Sequence, residues 1–113
     1  MKANVQNSRH YNWGDGCDGW VLLPRADMTA IQEHMPPGTA EVRHHHELAR
    51  QFFYVLVGEL TMEIEGETFS LTVGDSIEIP PLAKHKAQNV SEADVSFLVV
   101  SSPTTHGDRV DEA

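Results

Sequence analysis

The chain has 113 residues, of which 40 per cent are hydrophobic and 22 per cent are charged, a composition typical of one folded domain. Its formal net charge of −9, from 17 acids against eight lysines and arginines, argues against binding to nucleic-acid phosphates or an anionic membrane. No apolar run of about 18 residues predicts a membrane span, and the N-terminus lacks the apolar segment of a signal peptide, so we expect a cytoplasmic protein.

Short β-strands are predicted along most of the chain, and no helix longer than one turn is evident. Apolar and polar residues alternate from Leu60 onward, with breaks at Gly66, Gly74 and the Pro80-Pro81 pair. Many short strands with Gly and Pro turns predict an all-β, antiparallel barrel, in which closure removes exposed sheet edges. The predicted strands are residues 20–23, 29–35, 41–46, 52–57, 60–64, 69–73, 77–79, 84–90 and 95–100.

Both ends of the chain are predicted to be loosely structured. Residues 1–10 contain few apolar side chains, and residues 104–113 are polar and acid-rich. We therefore expect one domain, residues 1–113, with two loose tails. Arg109 is expected to be a solvated tail residue, although a cation near a metal would suit an anionic substrate.

Two histidines mark a candidate metal site. His44 and His46 are two residues apart in a predicted strand, so their side chains leave one face while His45 leaves the other. Gln51 and His85 each open a further predicted strand and can face the same interior. Because neutral imidazole is the commonest protein ligand of first-row divalent metals, these residues predict a metal site.

At these residues the sequence resembles the cupin superfamily. The first cupin motif is glycine, five residues, His-x-His, three or four residues, glutamate, six residues and glycine, and Gly38 to Gly58 of this chain are GTAEVRHHHELARQFFYVLVG. The second motif is glycine, five residues, proline, one residue, glycine, two residues, histidine, three residues and asparagine, and Gly74 to Asn89 are GDSIEIPPLAKHKAQN. Spacing agrees in both motifs, while Gln51 replaces the usual glutamate and Leu82 replaces the turn glycine.

The resemblance implies a double-stranded β-helix, or jelly-roll barrel, which holds one divalent transition metal per chain. The metal would be Zn, Ni, Fe or Mn, held by His44, His46, Gln51 and His85. Small cupins commonly pair, so we also expect a homodimer, in which the strand at residues 20–23 extends a neighbour's sheet.

Gln51 changes the electrostatics of the expected site. Three neutral imidazoles and an amide leave the metal's double positive charge uncompensated, so we expect a small anionic ligand. Glu47 is a weaker candidate ligand, because strand parity points it away from His46. Since imidazoles must be neutral to bind metal, metal occupancy is expected to fall as the pH drops from about 7 to 5.

The ligand set is similar to that of cupins that convert unsaturated uronic acids. This likeness implies a metal-dependent enzyme for isomerisation or ring opening of a small, oxygen-rich, anionic metabolite, in which the metal acts as a Lewis acid. Either Glu33 or His34 would carry the proton, because the parity of the strand at residues 29–35 is open. An iron(II) dioxygenase and a non-catalytic module that binds a small molecule or metal are the alternatives. Cys17 is interpreted as an unreactive loop thiol.

Overall fold

The computed structural model describes residues 1–112 and confirms the predicted all-β jelly roll. Its strands, none of them longer than eight residues, are β1 (Arg9–Trp13), β2 (Cys17–Pro24), β3 (Thr29–Met35), β4 (His44–His46), β5 (Arg50–Val57), β6 (Leu60–Ile64), β7 (Glu67–Leu71), β8 (Ser76–Ile79), β9 (His85–Gln88), β10 (Val95–Ser102) and β11 (Arg109–Asp111). Among the described residues there is no helix with the length and apolar character needed to cross a membrane.

Two antiparallel sheets face one another. One contains six strands in the order β1-β2-β3-β10-β5-β8, and the other contains five in the order β11-β4-β9-β6-β7. Alternation explains the core: along β5, Phe53 and Val55 are buried while Phe52, Tyr54 and Leu56 are exposed. The buried side chains of the two sheets pack against one another. Strands β4 and β9, which carry His44, His46 and His85, therefore lie opposite β5 and β10.

Two tight turns connect strands near the motif residues. Gly58 has a φ of +82°, and a Cβ there would overlap the carbonyl oxygen of Asp94, so both the backbone and the neighbouring loop require glycine. Leu82 has a φ of +74°, and its N–H donates to the carbonyl of His46 at 2.7 Å. The turn that glycine makes in the cupin motif is therefore kept here with leucine, at a cost of roughly 1–2 kcal/mol.

Each predicted loose tail contains part of a strand, while residues 1–8 and 104–108 lie outside the strands. Arg9 and His10 belong to β1, which pairs with β2, and Arg109–Asp111 form β11, which pairs with β4. In β1 only Tyr11 and Trp13 alternate with polar residues, and β11 has the single apolar residue Val110, so both patterns are too short to predict a strand by themselves. Ala113, the last residue of the predicted tail, lies outside the described residues.

Candidate metal centre

Three buried histidines converge between the sheets. His44 and His46 lie on β4, and His85 on β9 is the direct register partner of His44. The ring centroids of His44 and His85 are 4.3 Å apart, those of His44 and His46 are 5.0 Å apart, and those of His46 and His85 are 5.8 Å apart. One ring nitrogen from each lies within 4.8 Å of the others, which is the arrangement needed to hold one divalent ion.

Hydrogen bonds to the backbone orient two of these rings. The Nδ1–H of His44 donates to the carbonyl of Val42 at 2.7 Å, and the Nδ1–H of His85 donates to the carbonyl of Ala83 at 3.0 Å. Each bond fixes the tautomer with its Nε2 lone pair free for a ligand. Within residues 1–112, the buried Nε2 of His85 and the buried Nδ1 of His46 have no hydrogen-bond partner. A bound metal accounts for such buried, unsatisfied nitrogen atoms.

Gln51 is the first inward-facing residue of β5 and lines the same cavity. Its Nε2 donates to the hydroxyl of Ser101 at 3.2 Å, which leaves its Oε1 buried and, among the described residues, without a donor. An amide oxygen in this state fits a metal ligand, as the sequence motif implies. Glu47 is exposed, and only its backbone N–H is bound, to Asp108 at 3.0 Å.

Burial keeps the three imidazoles neutral. It lowers the pKa of His44 to about 3 and that of His85 to about 4, and their mutual repulsion adds to the effect on His44. The pKa of His46 is lowered for the same reason. Neutral rings with free lone pairs are the form that binds a metal, so no proton has to leave them at neutral pH.

Strand β3 brings Glu33, and not His34, into this cavity. Glu33 lines the cavity, whereas His34 lies on the opposite face of the sheet. There the Nδ1–H of His34 donates to Asp18 at 3.0 Å and its Nε2–H donates to Asp94 at 2.7 Å. The hydrogen bond to Asp94, with that to Asp18, raises the pKa of His34 and holds it as a cation outside the site. The parity left open by the sequence therefore resolves in favour of Glu33.

Two cavity residues were missed by sequence reasoning. Tyr11 of β1 lines the cavity together with Glu33, and Glu41 accepts the backbone N–H of Ala87 at 2.9 Å. Burial raises the pKa of Glu33 to about 8, and the neighbouring Glu41 contributes to this shift, while burial raises the pKa of Glu41 to about 7. The alternation of Tyr11 and Trp13 with His10 and Asn12 is a short signal for β1 that could have indicated this strand.

Arg109 also lines the cavity, where it lies on strand β11 and not in a loose tail, while its side chain is 42% exposed. Its guanidinium donates to Asp111 at 2.7 Å and to the carbonyl of Val42 at 3.3 Å. Its positive charge partly opposes the rise in the pKa values of Glu33 and Glu41 that burial causes, so the charge acts across the cavity. A cation beside the metal ligands makes the site favourable for an anion.

The loop before β11 also supports the ligand strand. The carboxylate of Asp108 accepts the backbone N–H groups of Glu47, Leu48 and Ala49 at 2.9 to 3.2 Å, which closes the turn between His46 and Gln51.

The sequence interpretation of Cys17 as a loop thiol was wrong in its location. Cys17 opens β2 and is fully buried, and burial raises its pKa, which disfavours the reactive thiolate.

Known proteins resemble the chain in sequence and in fold. A family profile described as the cupin domain matches residues 31–101, more than half of the chain. An uncharacterized protein of Methanocaldococcus jannaschii is 32% identical over 69 residues, which are 61% of this chain and 55% of that protein. The chain spans about half the length of the curated relatives that it matches.

Two solved structures share the fold over nearly their whole length. The structure of KdgF from Halomonas sp. superposes with a TM-score of 0.85 and 23% identity, covering 95% of this chain and 98% of that one. A predicted oxalate decarboxylase from Thermotoga maritima gives a TM-score of 0.83 with 21% identity, covering 92% of this chain and 100% of the other. At these identities the likeness concerns the fold, so the chemistry must be argued from the cavity itself.

Proposed function

The chain belongs to the cupin domain family, and on that basis we propose that it is a metal-dependent enzyme for isomerisation or ring opening of a small, uronate-like sugar acid. The observation that carries this proposal is the content of one cavity of about 160 Å³. The cavity is lined by imidazoles of the proposed metal site, by the cation Arg109 and by the carboxyl group of Glu33. Such a set can hold an oxygen-rich anion and move one of its protons.

The metal ligands of the proposal are His44, His46, His85 and Gln51. A divalent ion bound there, Zn, Ni, Fe or Mn, supplies Lewis acidity that polarises a hydroxyl or carbonyl oxygen. None of these four residues carries a negative charge, so they leave the ion's charge available to an anionic ligand. Arg109 adds a further positive charge and an N–H donor for a substrate carboxylate.

Glu33 is proposed to carry the proton. Opening a cyclic hemiacetal moves a proton from the hydroxyl on C1 to the ring oxygen, and it requires no other reactant. Without a bound metal, the pKa of Glu33 is raised to about 8, so its carboxyl group can both hold and release a proton near neutral pH. The side chain of Tyr11 lines the same cavity and lies in the same row across the sheet as Glu33.

The test begins with tag-free protein, whose metal content is measured by elemental analysis. An unsaturated monouronate is then followed by NMR, with metal-loaded and chelator-treated enzyme. We expect metal-dependent ring opening, with a loss of roughly 10²-fold or more in Glu33→Gln, which should retain its metal. His34→Gln is the matched control, because His34 lies outside the cavity. Full activity in Glu33→Gln would remove the assigned proton carrier.

The same experiment separates the alternatives. Turnover that requires iron and consumes dioxygen would replace the proposal with an iron(II) dioxygenase. Metal and sugar acid that bind without any turnover would identify a non-catalytic binding module.

We also propose a cytoplasmic homodimer, but with a different contact from the one that the sequence suggests. Residues 20 and 21 of β2 are paired with β1 on one side and with β3 on the other, so this part of β2 is not free to extend another sheet. Two surfaces remain available for a dimer contact. One is the edge of the six-stranded sheet at β1, and the other is formed by the outward side chains of Phe52, Tyr54 and Leu56, which are 38 to 43% exposed. Light scattering at high micromolar concentration should give twice the chain mass of 12.6 kDa, and a mass of one chain would contradict the dimer. Cell fractionation tests the location.

A further inference from the structure

We propose that Arg9 and Arg25 bind a second anionic group of the substrate in a cleft beside the metal cavity. The substrate would then be a dianion longer than a single sugar-acid ring, with a carboxylate or a phosphate at its far end. This inference rests on the proposed function and specifies the substrate class of the same site.

The cleft adjoins the metal cavity directly. It has a volume of about 480 Å³, against about 160 Å³ for the metal cavity. The cleft and the metal cavity have three lining residues in common, Tyr11, Ile31 and Thr105, which form the wall between them. A ligand too long for the metal cavity can therefore continue past these three residues into the cleft.

Strand register places Arg9 close to the proton carrier. Arg9 pairs with Val21, which pairs with Ile31, and this row runs across three neighbouring strands. Ile31 and Glu33 are two residues apart on β3, so their side chains leave the same face of the sheet. Arg9 thus belongs to the row next to that of Glu33.

The charge of the cleft is opposite to that of the chain. The protein has 17 acids and eight lysines and arginines, yet no acid lines the cleft, while Arg9, Arg25 and His106 do. Within residues 1–112, neither Arg9 nor Arg25 has a carboxylate oxygen within 4.0 Å, whereas other basic residues such as Arg43 and Arg50 are in ion pairs. Two arginines that lack an internal partner in so acidic a chain fit an external anion.

A buried hydroxyl gives an independent indication of a polar ligand. Thr29 lines the cleft and is only 8% exposed, and its Oγ1 has no hydrogen-bond partner among the described residues. Thr29 is the register partner of Ser101, whose hydroxyl accepts the amide of the proposed ligand Gln51. Thr29 and Ser101 are thus neighbours across two strands, one lining the cleft and the other lining the metal cavity.

The cleft is held in shape by its own backbone. The N–H of Arg25 donates to the carbonyl of Met28 at 3.1 Å, and the N–H of Thr104 donates to the carbonyl of Ala26 at 3.0 Å. The Nη1 of Arg25 also donates to the carbonyl of Pro24 at 3.3 Å. Together these bonds join the turn after β2 to the segment after β10, so the arginine side chain projects from a fixed turn.

The test compares three ligands on the metal-loaded protein by calorimetry. Galacturonate carries one carboxylate, digalacturonate carries two, and galacturonate 1-phosphate carries a carboxylate and a phosphate. We expect both dianions to bind about tenfold tighter than galacturonate or better. In Arg9→Gln/Arg25→Gln this ratio should fall to about one, while Lys86→Gln, which removes a charge outside the cleft, should preserve it. The tighter of the two dianions identifies carboxylate or phosphate as the preferred group.

Each failure has its own signature. A galacturonate affinity that is the same with and without metal would contradict the proposed function. In that case, inorganic phosphate would be titrated into the wild type and the double variant. Arginine-dependent NMR shifts at Ile31 and Thr105 would still support the cleft. Equal binding of all three ligands to wild type, or a dianion preference that survives in the double variant, would overturn the inference while leaving the metal site intact.

Discussion

The aromatic ring of Tyr11 lies over Gly19, the residue that separates Tyr11 from Glu33 on the second strand away. Tyr11 pairs with Gly19 between β1 and β2, and Gly19 pairs with Glu33 between β2 and β3, so the three residues form one row across the sheet. A Cβ built on Gly19 would overlap the ring and hydroxyl of Tyr11. The absence of a side chain at Gly19 therefore allows β1 to contribute to the cavity.

Replacing Gly19 by alanine should displace the Tyr11 ring and move it away from its place beside Glu33 in the cavity. We expect a loss of about 1–3 kcal/mol in the free energy of unfolding, from overpacking, together with reduced turnover. Urea denaturation measures the first effect. In a Tyr11→Ala background the same Gly19→Ala change should cost much less, and an equal cost in both backgrounds would show that the steric explanation is wrong.

His85→Ala should abolish metal binding, because His85 supplies one of the three converging nitrogen atoms. In the wild type, metal at 100 times its dissociation constant should add about 2.7 kcal/mol to the free energy of unfolding, and the variant should gain none of it. His45→Ala is the matched control, since His45 faces the other side of β4 and donates to Glu112 at 2.6 Å. Loss of metal from His45→Ala would contradict the strand parity on which the site depends. Thermal denaturation with and without chelator provides the comparison.

Gln51→Glu should tighten metal binding and weaken binding of a sugar acid. A carboxylate beside the ion offsets part of its charge, and the hydroxyl of Ser101 can donate to the new oxygen in place of accepting from the amide. Calorimetric titration with metal and then with galacturonate measures both changes. Weaker metal binding by a normally folded variant would mean that Gln51 is not a ligand.

Metal should be retained to a lower pH than the sequence alone suggests. With ordinary imidazole pKa values, protons would compete between about pH 7 and 5. Burial lowers the pKa of His44 to about 3 and that of His85 to about 4, so the folded site stays unprotonated until the pH is well below the ordinary value. Stability contributed by the metal should thus be present at pH 7, persist at pH 5 and be lost as the pH approaches 4. Elemental analysis after dialysis over this range tests the window, and release near pH 6 would contradict it.

The sequence by itself was enough to predict the fold and the three histidines. Alternation of apolar and polar residues is a local property of a strand, and it places His44 and His46 on one face whatever their partners are. Motif spacing then added His85 and Gln51, whose side chains line or meet the same cavity in the structure. Each of these inferences needs only residues that are close in sequence or at a fixed motif spacing.

Only the tertiary structure decided which other groups face the metal ligands. Whether Glu33 or His34 turns inward depends on which face of β3 meets the core, and this is set by the pairing of β3 with β2 and β10. Tyr11 and Arg109 lie near opposite ends of the chain, on strands of only five and three residues. Arg109 enters the cavity because β11 pairs with β4, which is distant in sequence. Tyr11 enters it because β1 pairs with the neighbouring β2, which pairs in turn with β3. The register of these pairings cannot be deduced from the residues of either strand alone.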